Sequence, residues 1–153
     1  MIAIGLDPGS SSGAWAAIDH TNKVIGCGDI ANKDGRIVAK TLYDLLMACV
    51  SPKDTAMIVV ESVHTMPGQG VASQGKFMRA AGAIEAVAEL TGFQLILVSP
   101  QKWKKHMGLI GQDKKAGLFL ARELFPEAKL TKIKDHNIAD ALLMALWLKD
   151  SYE

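Results

Sequence analysis

Cysteine is scarce in this chain of 153 residues, which carries only Cys27 and Cys49. Two thiols this far apart, without metal-ligand spacing, argue against a disulfide scaffold or a thiolate metal knuckle and read as reduced core side chains. Long apolar runs are missing as well. No stretch approaches the roughly 20 residues that a membrane span needs, and the start shows no basic segment followed by an apolar one. The expectation is therefore a soluble, intracellular protein with no membrane partner. A strong charge of either sign is also absent, since the net charge is +1. What the chain has instead is apolar content: 49% of its residues are hydrophobic, enough for a proper core. That length and composition fit one domain covering residues 1–153.

The small net charge hides a division. Residues 101–134 hold Lys102, Lys104, Lys105, Lys114, Lys115, Arg122, Lys129, Lys132 and Lys134 against Asp113, Glu123 and Glu127, an excess of +6, which leaves −5 for the remainder. A basic segment on an acidic body suits a polyanion bound on one face, with counterion release driving association. Ordinary solvated helix charges are the plainer alternative.

Periodicity gives the elements. Residues 1–6 are almost continuously apolar and read as a strand buried on both faces, ending at Asp7. Pro8, Gly9, Ser10, Ser11, Ser12 and Gly13 make a turn into a second strand over residues 14–18, and residues 23–30 complete a meander. Val38, Leu42, Leu45, Leu46 and Cys49 recur at helical spacing within residues 35–50. A fourth, parallel strand over Met57, Ile58, Val59 and Val60 stops at Glu61. Residues 62–75 read as a long loop carrying His64, Met66 and Gln69, a placement that favours contact with a substrate. A helix over residues 76–90 follows, with Lys76 and Arg79 at its start and the small run Ala80, Ala81, Gly82, Ala83 offering close approach to the sheet or to a second subunit. Residues 93–98 form the fifth strand, Ser99 and Pro100 open a helical turn to His106, and Asp113 caps a helix to Phe125, with Lys114 in its first turn, an unfavourable place for a cation unless an anion is bound nearby. The last helix spans residues 135–148 and faces the core with Ile138, Ala141, Leu142, Ala145 and Leu148.

Acidic residues close three of these elements. If the first and fourth strands are neighbours, Asp7 and Glu61 lie side by side at one sheet edge, where a cation must offset them. Hard divalent ions such as Mg²⁺ suit such oxygen ligands. His136 and Asp140 are four apart, hence on one face of the last helix. Taken singly, Asp7 also reads as a turn residue bonding its own backbone, Glu61 as a solvent-facing strand end and Asp135 as a helix N-cap.

In order along the chain, Gly5-Leu6-Asp7-Pro8-Gly9-Ser10, Val60-Glu61-Ser62-Val63, Ser99-Pro100-Gln101-Lys102-Trp103-Lys104, Asp113-Lys114 and His136-Asn137-Ile138-Ala139-Asp140-Ala141-Leu142 resemble a Holliday-junction resolvase of the RuvC type, in the ribonuclease H-like superfamily and nearest phage-borne and organellar versions. The resemblance implies an α/β fold with a five-stranded mixed sheet (an antiparallel meander, then two parallel strands) flanked by helices. It also implies a homodimer that makes symmetric nicks in four-way DNA with Mg²⁺ or Mn²⁺, two ions per site, leaving 5′-phosphate and 3′-hydroxyl ends. Asp7, Glu61 and Asp140 match the metal-binding acids, and His136 the fourth position, with Asp135 as the fallback. Lys104 and Lys114 resemble lysines that contact the scissile phosphate, with Lys102, Lys105 and Lys115 as neighbours in an open register. His64 falls where bacterial members wedge an aromatic ring into the junction, and Gln69, Lys76 and Arg79 join the expected DNA-binding set. The helix over residues 76–90, with Ile84, is the expected dimer interface. Expected locations are a bacterial or phage-infected cytoplasm, or an organellar matrix. Two rivals stand beside this reading. One is a nuclease of the same fold acting on other branched DNA or structured RNA. The other is a phosphate-loop protein akin to sugar kinases and actin-like ATPases, which need two lobes where this chain supplies one; no nucleotide cofactor is therefore expected.

Overall fold

The apolar run at the start of the chain becomes β1 (Ile2–Asp7), buried at every position. In the computed structural model, which describes residues 1–9, 13–62, 67–68 and 70–153, two antiparallel strands follow, β2 (Ala14–Ile18) and β3 (Val24–Asp29). Beyond β3 comes a small hairpin of β4 (Asn32–Lys33) and β5 (Arg36–Ile37). Its turn is Asp34-Gly35, with φ of 51° and 76°, the left-handed pair that a two-residue hairpin turn requires. Sequence spacing predicts a helix from residue 35. The turn displaces its start, and α1 runs over Ala39–Ala48.

β6 (Ala56–Glu61) then enters the sheet parallel to β1. The next helix, α2 (Val71–Leu90), begins five residues before Lys76, so the loop expected over residues 62–75 ends at Gly70. Val71 is 88% exposed, which is why this first turn carries no apolar signal. β7 (Gln94–Val98) pairs parallel with β6, and α3 (Pro100–His106) follows at once, its N-cap Ser99 accepting from the Lys102 N–H. α4 (Ala116–Leu124) starts later than expected. Asp113 is not its N-cap but closes the preceding turn, accepting the Lys115 N–H at 2.8 Å. The basic linker contains two single 3₁₀ turns, Pro126–Ala128 and Ile133–Asp135, before α5 (His136–Tyr152).

The main sheet has the order β3-β2-β1-β6-β7, five strands with the antiparallel meander and parallel pair that the sequence implies. Each face carries its own core. On one, α1 and α2 bury Leu42, Leu46, Ile84, Val87 and Ala88 against Ile4, Leu6, Ile58 and Val60. On the other, α5 and α4 pack with Trp103 over Ala3, Ala16, Ile18 and Val59. α5 is apolar nearly all round: Leu143, Met144 and Trp147 are buried along with Ala141, Leu142, Ala145 and Leu148, as befits a central helix. Ile84 belongs to the first core and is fully buried, so it cannot report on a dimer interface. Cys27 and Cys49 are free and partly buried. Among the described residues no helix is long and apolar enough to cross a membrane.

Candidate active site

The parallel register Leu6↔Val60 carries Asp7 and Glu61 to adjacent strand ends at one edge of the sheet. Asp7 is 6% exposed and is the one charged side chain in the buried class among the described residues. Its Oδ1 accepts the Gly9 N–H at 3.1 Å, so the turn-residue role is real and fixes the carboxylate rather than replacing a role at the site. Glu61 pairs in register with Val98, the last residue of β7. Because α3 starts just beyond, fully buried Trp103 reaches back and donates from Nε1 to Glu61 Oε2 at 2.7 Å.

Asp140 arrives from the other direction, on α5. This helix lies directly on β1 at Gly5, where a methyl group would meet the Ala141 carbonyl oxygen at 2.0 Å and the Ala145 nitrogen at 3.0 Å. A strand glycine of this kind marks a close backbone approach. The contact sets Asp140, the residue before Ala141, against the β1 end that holds Asp7. Gly117 on α4 leaves room for the same carboxylate, a Cβ there lying 3.4 Å from Asp140 Oδ1.

The three acids feel one another. Burial, then repulsion from Glu61 and Asp140, pushes Asp7 up to about 8, against the opposing pull of the Gly9 N–H and Lys104. Burial and then Glu61 push Asp140 up to about 7, and burial raises Glu61 while the Trp103 hydrogen bond and Lys104 hold it down. Lys104 is the cation that acts on all three. Its Nζ lies 5.4 Å from the Trp103 ring centroid.

Beside the acids is a cavity of about 490 Å³ walled by Lys104, Lys114, Lys115, His136 and Asp140. The structure therefore groups Asp7, Glu61, Asp140 and Lys104 electrostatically, and places His136, Lys114 and Lys115 around the adjoining cavity. Asp135, whose Oδ2 accepts the Lys132 N–H at 2.8 Å, does not line this cavity. The remaining basic candidates do not line this cavity. Lys102 stacks 5.6 Å from the Trp147 ring centroid, Lys105 is exposed outside the cavity, and Lys76 and Arg79 are exposed on α2. His64 and Gln69 lie outside the described residues. Three positioning residues escape the sequence reading of the site: Gly5, Trp103 and Gly117. A glycine inside a strand is a usable signal for the first; nothing local marks Trp103 as the partner of Glu61, 42 residues earlier.

No three His, Cys, Asp or Glu side chains among the described residues are clustered tightly enough, as placed, to hold one ion together. The donor chemistry still fits Mg²⁺, which binds through one or two carboxylates and keeps several waters. Carboxylates held above their ordinary range by burial, with Lys104 as the cation that acts on all three, are a set that a hard cation would relieve.

The sheet order and flanking helices define a ribonuclease H-like fold, with an acidic site at the edge where strand ends meet. The solved structures agree: RuvC of T. thermophilus in complex with a Holliday junction substrate has a TM-score of 0.72 at 15% identity, covering 95% of this chain and 90% of that one. A second Thermus thermophilus RuvC structure gives 0.69 at 17% identity, covering 95% and 92%. In sequence, the chain is 31% identical over 120 residues to the crossover junction endodeoxyribonuclease RuvC of Nitratidesulfovibrio vulgaris, covering 75% of this chain and 71% of that protein. It is 35% identical over 91 residues to the chloroplastic Holliday junction resolvase MOC1 of Chlamydomonas reinhardtii, 58% of this chain but only 10% of that much longer protein. No protein-family model matches. The chain belongs to the RuvC family of crossover junction endodeoxyribonucleases.

Proposed function

We propose that this chain is a structure-specific endodeoxyribonuclease that resolves four-way DNA junctions by Mg²⁺-dependent hydrolysis, with Mn²⁺ as a substitute. The observation that carries the reading is the trio of buried Asp7 with partly buried Glu61 and Asp140 at the sheet edge, each raised by burial and restrained by Lys104. Asp7, Glu61 and Asp140 would hold the divalent ions, with His136 as the fourth ligand. Bound there, such ions supply Lewis-acid stabilisation of phosphodiester charge and activation of water, the usual chemistry of paired-metal nucleases.

The chain's own residues do the positioning. The Gly9 N–H and the Trp103 indole lock Asp7 and Glu61 in place, which keeps the attack geometry from drifting. Lys104, Lys114 and Lys115 line the cavity in which a scissile phosphate would lie, and their charge offsets what develops on it in the transition state. Two symmetric nicks call for two such sites, hence a homodimer; the outer face of α2, with Met78 and Gly82, is a fitting interface because Ile84 points into the core. The products would be nicked ends with 5′-phosphate and 3′-hydroxyl groups.

The deciding experiment is cleavage of a labelled immobile four-way junction beside a matched linear duplex, a flap and an RNA hairpin, in Mg²⁺ and in Ca²⁺. Paired symmetric nicks confined to the junction in Mg²⁺ are the expected result. Equal cutting of all substrates would leave a general nuclease of this fold instead.

A further inference from the structure

A further cavity lies on the opposite face of the sheet from the site cavity. It has a volume of about 440 Å³ and opens between the β4–β5 hairpin and α2. Three cations from these two elements border it: Lys33 and Arg36 on the hairpin, Arg79 on the helix, above a floor that includes Ile37, Ala80 and Ala83. All three are exposed, and none forms a salt bridge among the described residues, where the ion pairs are Lys40–Asp44 and His106–Asp150. Lys33 and Arg36 are also direct cross-strand partners. Like charges facing each other across a strand pair are destabilising. In a hairpin of two residues per strand, an anion lying over the pair would offset that cost.

Topology relates this cleft to the acids. The register Asp7↔Ala14 and Ala14↔Asp29 brings the end of β3 to the same sheet edge as Asp7, and the hairpin leaves from there. α2 follows the loop after Glu61, and Lys76, three residues before Arg79, shares its side of the helix at the end nearer the site. Basic groups thus stand on both faces of the sheet, with the acidic edge between: Lys104, Lys114 and Lys115 on the α4–α5 face, Lys33, Arg36 and Arg79 on the α1–α2 face.

We propose that the cleft between the β4–β5 hairpin and α2 is a second phosphodiester-binding site, in which Lys33, Arg36 and Arg79 hold the backbone of a DNA arm away from the strand being cut. The proposal rests on the junction-cleaving reading and extends its DNA footprint to a hairpin that the sequence never singles out. Such contacts position the nucleic acid without reading bases. They govern affinity and its salt dependence, not the chemical step.

The test compares wild type with K33Q/R36Q, R79Q and a control, K23Q/K53Q, that removes the same two charges as the hairpin variant from elsewhere on the surface. Affinity for a labelled four-way junction in Ca²⁺ is measured across salt concentrations, single-turnover cleavage in Mg²⁺ at saturating protein, and mass by light scattering. The cleft variants are expected to bind at least fivefold more weakly at 0.1 M salt than the control, with the slope of log K against log salt shallower by about 0.9 for each phosphate no longer neutralised, and to cleave at the wild-type rate once saturated. Cleft variants that match the control in affinity and slope, while wild type binds and cuts junctions, would overturn the cleft alone. A changed mass in the cleft variants would make it an interface between copies and also overturn the proposal. Wild type that binds no junction would bring down the functional reading and the cleft with it.

Discussion

Trp103 Nε1 donates to Glu61 Oε2 at 2.7 Å, joining the first turn of α3 to the end of β6 beneath the acidic site. The indole is fully buried, and the bond opposes the upward push that burial exerts on Glu61. Trp103→Phe keeps an aromatic ring but removes the donor, leaving a partly buried carboxylate oxygen without its partner. The expected loss is about 1–3 kcal/mol of stability, as for other orphaned polar groups, and at least a tenfold fall in junction turnover in Mg²⁺. Denaturant unfolding and single-turnover cleavage measure the two; unchanged turnover would show that Glu61 holds its position unaided.

Gly5 sets how near α5 comes to β1. A Cβ at this position would sit 2.0 Å from the Ala141 carbonyl oxygen, a rigid backbone atom on a helix that cannot yield locally. Gly5→Ala should therefore lift α5 from the strand, cost about 3 kcal/mol or more and separate Asp140 from Asp7. Gly28→Ala is the matched control, since its Cβ would meet only the Trp15 ring, at 3.4 Å from Nε1. Equal stability of the two variants in urea titrations would refute the idea that the β1–α5 approach assembles the site.

These two contacts also mark where the sequence stops being informative. The ends of β1 and β6 follow from apolar runs that stop at Asp7 and Glu61, because a buried parallel strand needs nearly unbroken apolar residues, whereas the adjacency of the two strands is only a condition at that level and the sheet architecture comes with the family resemblance. The β4–β5 hairpin straddles the start of an expected helix, with β4 ahead of residue 35 and β5 within it: two-residue strands carry no periodicity, and Asp34-Gly35 is the available clue. The start of α2 is invisible to periodicity because its first turn faces solvent. Asp7, Glu61 and Asp140 can be named from their place in strands and motifs, whereas Trp103 and Gly117 act through contacts distant in sequence. The basic residues that read as one charged segment are divided by the fold between the site cavity, the Trp147 face and open surface.

The acids make metal-free stability depend on pH. In the unfolded chain an aspartate titrates near 4, but in the folded protein Asp7 is pushed up to about 8 and Asp140 to about 7. Between those values the folded state binds more protons than the unfolded one, so stability falls as pH rises from about 4 to 8. Asp7→Asn removes the largest part of this penalty. In EDTA the variant should melt near wild type at pH 5 and higher at pH 8, by about 1–3 kcal/mol or roughly 3–10 °C, while losing cleavage and keeping junction binding. Calorimetric scans at both pH values decide it; a variant that melts at or below wild type at pH 8 would mean that Asp7 is not strained.

Lys104 and Lys114 share the cavity but not the same neighbours. Lys104 lowers all three acids, whereas Lys114 is not among the groups that shift them and meets the site through the cavity wall shared with Asp140. A phosphodiester in that cavity would bring negative charge to both lysines, so either alanine variant should cut turnover at saturating junction by roughly 10- to 100-fold, an effect of about 1.4–2.8 kcal/mol on the transition state. Only Lys104→Ala should also lower the metal-free melting temperature at pH 8, because only there are ionising carboxylates left without their cation. If Lys114→Ala weakened junction affinity with turnover intact, Lys114 would be a backbone contact, and the charge offset at the scissile phosphate would fall to Lys104 and Lys115.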